Sequence, residues 1–555
     1  TIRGKKKNDV PREVLKGISC SFPSGRLSAM MGASGSGKTS LLTLMRGLSS
    51  PGSELRGGIF CNGRPVSIDL MRSISSVVPQ EDVFLSALTV RETLAYAAQL
   101  RLPPGCKKAD WDARVEHILA LLKLGPCAEA MVGDDRLGIR GISGGERRRL
   151  SIGTAVIGGL PQLLLCDEPT SGLDSAAAHG IVAFLKSLAD RGVTVLCAIH
   201  QPSYPIFCQF SHLLLLQAGE AVYSGRLGDV EQHFAGHGAP TPEKTNPAHH
   251  YISEIQERGG EWAERWRGSA PRLPALPPSS DLPRGQTPRG GKSSLTATQQ
   301  TKVLVRRTLQ ENFKNKKKFF RGIMARLPAS LMCGCFFWRV AAEPTQGMVF
   351  PLKGVMFLII QNSFVDSFYA GAATFQQTKG LLKREYYDGL YKVAPYYASY
   401  YIGFMAMQIP WAIAWVMPLY VLSGLPAEIS QFSIFMLIGW LVIVMGTALG
   451  SAVGATTKDT DGARAILAPL MIMMILFSGY VIPYSQIPLI WKPLYYLSPV
   501  QWGMSVLETN HYEGLTFVDC DDSLPLAERH CFATGEELLK TYGNPLAFSV
   551  GKSGM

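Results

Sequence analysis

From Val393 to Ala427 the chain carries no charged side chain, and a second uncharged run extends from Ala465 past Tyr484. A membrane-crossing helix needs roughly 20 apolar residues, and both runs supply them. Spans are expected at about 322–340, 350–372, 400–422, 432–456 and 463–482. The first contains Arg326 and Pro328 and the second Asp366, which makes them less uniformly apolar than the other three. Most of the long apolar runs follow residue 320 and most of the charge precedes it, which suggests that the 555 residues divide into a soluble part and a membrane part.

The loops orient the spans. Lys379, Lys383, Arg384, Lys392, Lys458 and Arg464 fall on one side, with Lys314, Lys316, Lys317, Lys318 and Arg321 before the first span, while the loops near Glu343 and Glu428 are almost free of basic residues. The basic side is expected to face the cytoplasm together with the soluble part. A net charge of +12 then reflects this bias, and no basic motif with interleaved aromatics argues for nucleic acid. Seven of 11 cysteines precede residue 210 without metal-ligand spacing, as reduced cytosolic thiols do.

Before residue 257 the pattern alternates between strand and helix. Residues 12–31 run into a Gly-rich turn, 161–166 and 193–199 read as short buried strands, and helical patterns cover Asp112 to Leu124 and Ala176 to Ala189. The turn is Gly32-Ala33-Ser34-Gly35-Ser36-Gly37-Lys38-Thr39, which fits G-x-x-x-x-G-K-[ST] in full. Its glycines let backbone N–H groups close around phosphate; Lys38 reaches the β and γ oxygens, and the Thr39 hydroxyl serves Mg²⁺. A second apolar strand delivers Asp167 to the metal and sets Glu168 beside it to position or deprotonate the attacking water. Between them, Ser143-Gly144-Gly145-Glu146 opens a helix with small, donor-rich residues suited to a phosphate.

With these elements in order, the chain resembles the ABC transporters. Gln80 resembles their Q-loop glutamine, Ser171 to Asp174 their D-loop, and His200 their switch histidine. Further strings are similar to the G subfamily, the White/brown and breast-cancer-resistance type: ISGGERRR, TVRETL (Thr89 to Leu94), REYYDGLY (Arg384 to Tyr391), FSGYVIP (Phe477 to Pro483) and CFATGEELL (Cys531 to Leu539). The resemblance implies an α/β P-loop NTPase, the ABC nucleotide-binding domain, followed by an all-α transmembrane domain. It implies ATP-dependent export of a hydrophobic or amphipathic molecule (lipid, sterol or xenobiotic) by a homodimer or heterodimer of half-transporters. ATP and Mg²⁺ would be held by Gly32, Ser34, Gly35, Ser36, Gly37, Lys38 and Thr39 of one chain with Ser143, Gly144, Gly145 and Asp174. Asp167 and Gln80 would join Thr39 at the metal, and Glu168, His200 and Gln80 would serve catalysis.

The expected domains are residues 1–256 for nucleotide binding, 257–298 as a Pro/Gly/Ser-rich linker, 299–321 as an amphipathic connecting helix with a basic flank, and 322–555 in the membrane, with an external loop over 483–555. Glu385 is either the coupling contact of the basic 379–392 loop or part of a solvated turn. Cys520 and Cys531 lie in the outer loop, as a disulfide within or between chains or as free thiols. Asp366, with Gln361 and Asn362, either touches the substrate pathway or pairs with a neighbouring helix.

The sequence departs from the family's pattern at several points. Tyr480 and Val481 occupy the place of the paired leucines that close the upper cavity in the multidrug member. No aromatic precedes Val14 in the usual adenine-stacking position. The family's sixth span is expected after Leu539, and a truncated chain is the expected explanation for a sequence running from Thr1 to Met555.

Overall fold

The computed structural model describes residues 13–46, 57–134, 138–269, 295–482, 484–520 and 531–542. The chain forms two compact units: residues 1–307 with 383–396, and residues 308–382 with 397–555.

The first unit begins with β1 (Leu27–Gly32), α1 (Lys38–Met45), the small hairpin β2 (Phe60–Cys61) and β3 (Arg64–Pro65), then α2 (Ile68–Ile74) and β4 (Ser75–Val78). Helices α3 (Val90–Arg101), α4 (Lys108–Leu121) and α5 (Gly144–Val156) follow. The alternation resumes through β5 (Leu163–Asp167), α6 (Ser175–Ala189), β6 (Thr194–Ala198) and α7 (Tyr204–Phe207). It closes with β7 (His212–Gln217), β8 (Glu220–Arg226), α8 (Val230–Gly236) and α9 (Pro247–Ser269).

The main sheet has the order β4-β5-β6-β1-β7-β8, parallel except for the last strand. Both faces are covered, which explains why the strands read as continuous apolar runs. Along β1, Leu27, Ala29 and Met31 enter one core while Met30 enters the other, as the two-residue repeat of a strand requires.

Helix α9 corrects the expected domain boundary. Residues 258–269, expected as linker, are helical across a kink at Arg258. Trp262, Ala263 and Trp266 share one buried face there, packed beside Phe234 and His233 of α8. The composition suggested a linker, but two indoles one helical turn apart bury enough surface to order the segment. The remainder of the expected linker, from residue 270 to 294, lies outside the described residues.

The other unit is helical. Helices α10 (Ala297–Lys314), α11 (Lys316–Phe336), α12 (Val349–Tyr387), α13 (Val393–Leu422), α14 (Ile429–Thr456) and α15 (Thr460–Leu476) precede the short helices α16 (Lys492–Leu497), α17 (Pro499–Tyr512) and α18 (Gly535–Thr541). Among the described residues three helices are long and apolar enough to cross a membrane: the one ending at Tyr387, α13 and α14. The first and fifth expected spans are helical but fall short of that measure. Helix α11 carries three lysines, Arg321 and Arg326, and α15 stops at Leu476 just before Gly479, whose φ of 80° breaks a helix.

Helices α12 and α14 approach backbone to backbone. A Cβ at Gly446, Gly450 or Gly454 would lie 2.2, 1.9 or 2.9 Å from atoms of Ser367, Phe368 or Ala372. The four-residue spacing of these glycines is the small-xxx-small device that lets apolar helices pack without a hydrophobic driving force.

The expected external loop is corrected by α17. Val500, Gln501 and Leu507 are fully buried, and a Cβ on Gly503 would meet Ile360 and Val442. Glu508 pairs with Lys353 of α12 at 3.3 Å, and the Tyr542 ring covers that lysine. At fourteen residues the helix is too short to announce itself as a span, and only the packing reveals it as core. Cys520 and Cys531 are joined in a disulfide, beside a bridge between Thr516 and Thr534.

Candidate active site

The order of the sheet places β1, β6 and β5 side by side, with Met30 opposite Ala198 and Asp167 opposite the same residue. Their carboxyl ends therefore open onto one crevice, the usual ligand site of an open α/β sheet. A cavity of about 590 Å³ lies there, bounded by Ser34, Gly35, Ser36, Gly37, Lys38 and Thr39 and faced by Gln80, Glu168, Ser171 and His200. Gly32 can have no side chain, since a Cβ would sit 2.3 Å from the Leu216 carbonyl. Gly37 adopts a φ of 102° with Leu15 packed against it.

Lys38 folds over its own loop and donates to the carbonyls of Gly32 at 2.8 Å and Ala33 at 3.0 Å. Burial lowers its pKa, opposed by the charges of Glu168 and Asp167. The Thr39 hydroxyl donates to Asp167 at 3.4 Å, and burial raises the pKa of that carboxyl despite the bond. A hydroxyl and a carboxylate side by side are the donor set a hard divalent cation takes. Glu168 follows at the end of β5 with a φ of 47°, its N–H held by Ala198, and accepts a bond from Gln80 Nε2 at 2.8 Å. A left-handed, non-glycine residue beside a phosphate loop is the kind of strain that functional sites retain.

Ser143, Gly144, Gly145 and Asp174 do not line this cavity. Ser143 caps α5, with its hydroxyl and N–H both donating to Glu146, and Ser143 and Gly144 are exposed. Asp174 caps α6 by accepting from the Ala177 N–H at 2.8 Å. Among the described residues upstream of β1, Val14 reaches the cavity.

The structure also brings in residues that the sequence does not single out. Arg148, buried on α5, donates to the carbonyls of Pro79 and Gln80 at 2.6 and 2.7 Å and pairs with Asp82 at 3.2 Å. The helix that begins at Ser143 is thereby tied to the segment carrying Gln80. No pattern separates Arg148 from the arginines on either side of it; only its burial does.

The segment joining α12 to α13 packs on the same unit. Arg384 donates to Thr154 at 2.8 Å and Ser151 at 3.1 Å on α5. Asp388 pairs with Arg46, which ends α1, and with Arg101, which ends α3. Glu385 instead grips Arg307 of α10 through two bonds of 2.7 and 2.9 Å and accepts from the Tyr391 hydroxyl at 2.6 Å.

In the helical unit, Asp366 pairs with Arg326 of α11 at 2.9 Å. Tyr480 stacks on Phe357 at 4.4 Å and Phe350 at 6.2 Å between ring centres, while Val481 and Asn362 are exposed.

A phosphate-binding loop, an acidic strand end and a capped Ser-Gly-Gly helix on one sheet, joined to long apolar helices, define an ATP-hydrolysing membrane transporter of the ABC class. The pattern of the ABC transporter family matches residues 15–171, and that of the ABC-2 type transporter matches residues 299–512 and 200–259. The chain is 31% identical to ABC transporter G family member 7 of Arabidopsis thaliana, over 91% of this chain and 72% of that protein. It is 29% identical to the human ATP-binding cassette sub-family G member 8 (95% and 81% covered) and 28% identical to Protein scarlet of Drosophila melanogaster (96% and 82%). The chain belongs to the G family of ABC transporters: it is an integral membrane protein that binds ATP and couples its hydrolysis to transport.

Proposed function

We propose that this chain is one half of a dimeric exporter that moves a hydrophobic or amphipathic molecule outward across a plasma or organelle membrane, with its nucleotide-binding unit on the cytoplasmic side. The observation that carries the reading is the position of Ser143. It opens α5 at an exposed helix N-terminus, where N–H groups and the helix dipole favour phosphate, yet it lies outside its own chain's cavity. A second chain, identical or a G-family relative, supplies the partner. ATP then lies between Lys38 and the P-loop of one chain and Ser143, Gly144 and Gly145 of the other, with Asp174 at the seam.

Thr39 and Asp167, with Gln80 near them, would hold Mg²⁺, which neutralises phosphate charge when bound. Glu168 positions and deprotonates the attacking water, His200 faces the outer phosphate, and Gln80 holds Glu168 in place. The segment of Arg384, Glu385 and Asp388 passes the state of this site to α12 and α13. Asp366, Asn362, Tyr480 and Val481 belong to the substrate pathway, where Tyr480 with Phe350 and Phe357 provides an aromatic closure.

ATPase activity in lipid nanodiscs tests the reading. Glu168→Gln should lower turnover by about 10²–10⁴-fold, the usual yield of a general base. Ser143→Phe should lower it comparably although the residue is outside the cavity of its own chain. A Ser143→Phe protein that hydrolyses like wild type would sink the shared site.

A further inference from the structure

The exposed faces of the three long apolar helices differ in chemistry. On α13 Ile409, Ile413, Met417 and Val421 recur one turn apart, and on α14 Leu437, Leu441, Met445 and Leu449 do the same. Those stripes suit acyl chains. Between Asn362 and Gly380, α12 exposes only Asn362, Asp366, Ala373, Gln377 and Gly380. A face of amide, carboxylate and small residues within an apolar span gains nothing from lipid and marks a water-lined path.

Asp366 stands about 25 Å of helix rise beyond Val349, so in a hydrocarbon layer about 30 Å thick that starts there it lies about 5 Å inside the far edge. One oxygen lies 2.9 Å from Arg326 Nη2; the other meets no donor among the described residues, and the side chain remains 51% exposed. Arg326 is largely covered, donates to the Gly322 carbonyl at 3.2 Å and sits over the Trp411 ring at 5.1 Å. Arg326 thus holds one carboxylate oxygen and a backbone carbonyl, and the second carboxylate oxygen presents an acceptor on the exposed face.

We propose that Arg326 and Asp366 form a head-group site in the transport pathway, and that it takes the uncharged hydroxyl of an amphipath, donated to the free oxygen of Asp366. The assignment rests on the amphipath-export reading above. Charge balance selects the ligand. The pair is already neutral, so an added cation or anion leaves an uncompensated charge at the site, whereas a hydroxyl adds none and forms a charge-assisted hydrogen bond.

The test uses the full chain in lipid nanodiscs, with hexadecanol, hexadecyltrimethylammonium and hexadecyl sulfate as matched probes of ATPase stimulation. Hexadecanol is expected to stimulate at the lowest concentration. The double variant Arg326→Met with Asp366→Leu removes the pair without stranding a charge. It should raise the half-stimulating concentration of hexadecanol about tenfold or more, the usual worth of a hydrogen bond to a charged group.

A second measurement is independent of that variant's folding. Asn362→Cys should react with a membrane-impermeant maleimide beyond the wild-type background and be shielded by hexadecanol, while Leu441→Cys should not react. The proposal is overturned by a hydrolysing wild type that ignores hexadecanol or prefers the ammonium probe, or by a double variant that responds like wild type. Equal labelling of the two cysteines also overturns it, the result expected where a second copy covers the α12 face. Failure of the exporter reading would show separately, as the absence of Glu168-dependent hydrolysis before any probe is added.

Discussion

His233 shows how a single side chain couples packing to pH. Its ring touches Tyr223, Phe234, His237, Trp262 and Trp266, and burial, aided by the neighbouring His237, lowers its pKa to about 4. An unfolded histidine titrates near 6.5, so between those values the unfolded chain binds a proton that the folded chain refuses. Stability from this site is therefore complete above about pH 6.5 and is lost as pH falls toward about 4. The thermal midpoint of the nucleotide-binding unit should drop between about pH 7 and pH 5, and drop less in His233→Phe; equal slopes would remove His233 from the acid limb. At this scale Lys38 and Glu168, which line one cavity, were legible because nucleotide chemistry demands fixed spacings. Arg148 and Arg326 were not, because an arginine's function depends on the acid it meets across the fold.

Among the elements, α14 carries the tightest constraint. Its glycines at 446, 450 and 454 lie against the backbone of α12, and Gly450 has no room for a Cβ. Gly450→Leu should cost about 3 kcal/mol or more, read as a lower unfolding midpoint in detergent, because backbone cannot yield as a side chain does. The same substitution at Gly180, a helical glycine of α6 where a Cβ meets nothing, is the control for the size of the residue rather than its place. Elements with strong patterns, such as α13 and α14, follow from composition alone. The extension of α9 to Ser269 and the burial of α17 do not, since two tryptophans or one short helix become core only when a partner surface exists.

For the molecule as a whole, the informative feature is the segment between α12 and α13. Asp388, only 7% exposed, holds Arg46 at the end of the P-loop helix and Arg101 at the end of α3, and its neighbour Arg384 reaches α5. The residues that hold Arg46, Arg101 and α5 are thus continuous in the chain with two helices long and apolar enough to cross a membrane. Asp388→Ala leaves two arginines without their acid, and breaking a buried pair this way costs about 3–5 kcal/mol. The variant should still bind a fluorescent ATP analogue, while substrate stimulation of its ATPase falls about tenfold, within the usual range of coupling between sites. Unchanged stimulation would dismiss Asp388 from coupling. Sequence pointed to this basic loop and to Glu385, yet the acid that meets the P-loop helix lies one turn further on, and Glu385 turns to Arg307.

The sequence by itself determined the class of protein, the phosphate-loop residues that line the cavity at the sheet's end and the apolar character of the long spans. Each of these is a local demand: phosphate needs glycines and a lysine at set intervals, and hydrocarbon needs uninterrupted apolar length. Only the tertiary structure decided that Arg326 neutralises Asp366, that Arg148 holds the Gln80 segment, that α17 is core and that Asp388 bridges α1 and α3. Those pairings join residues far apart in the chain, and the free energy of a buried charge or a close-packed helix belongs to the pair rather than to either residue.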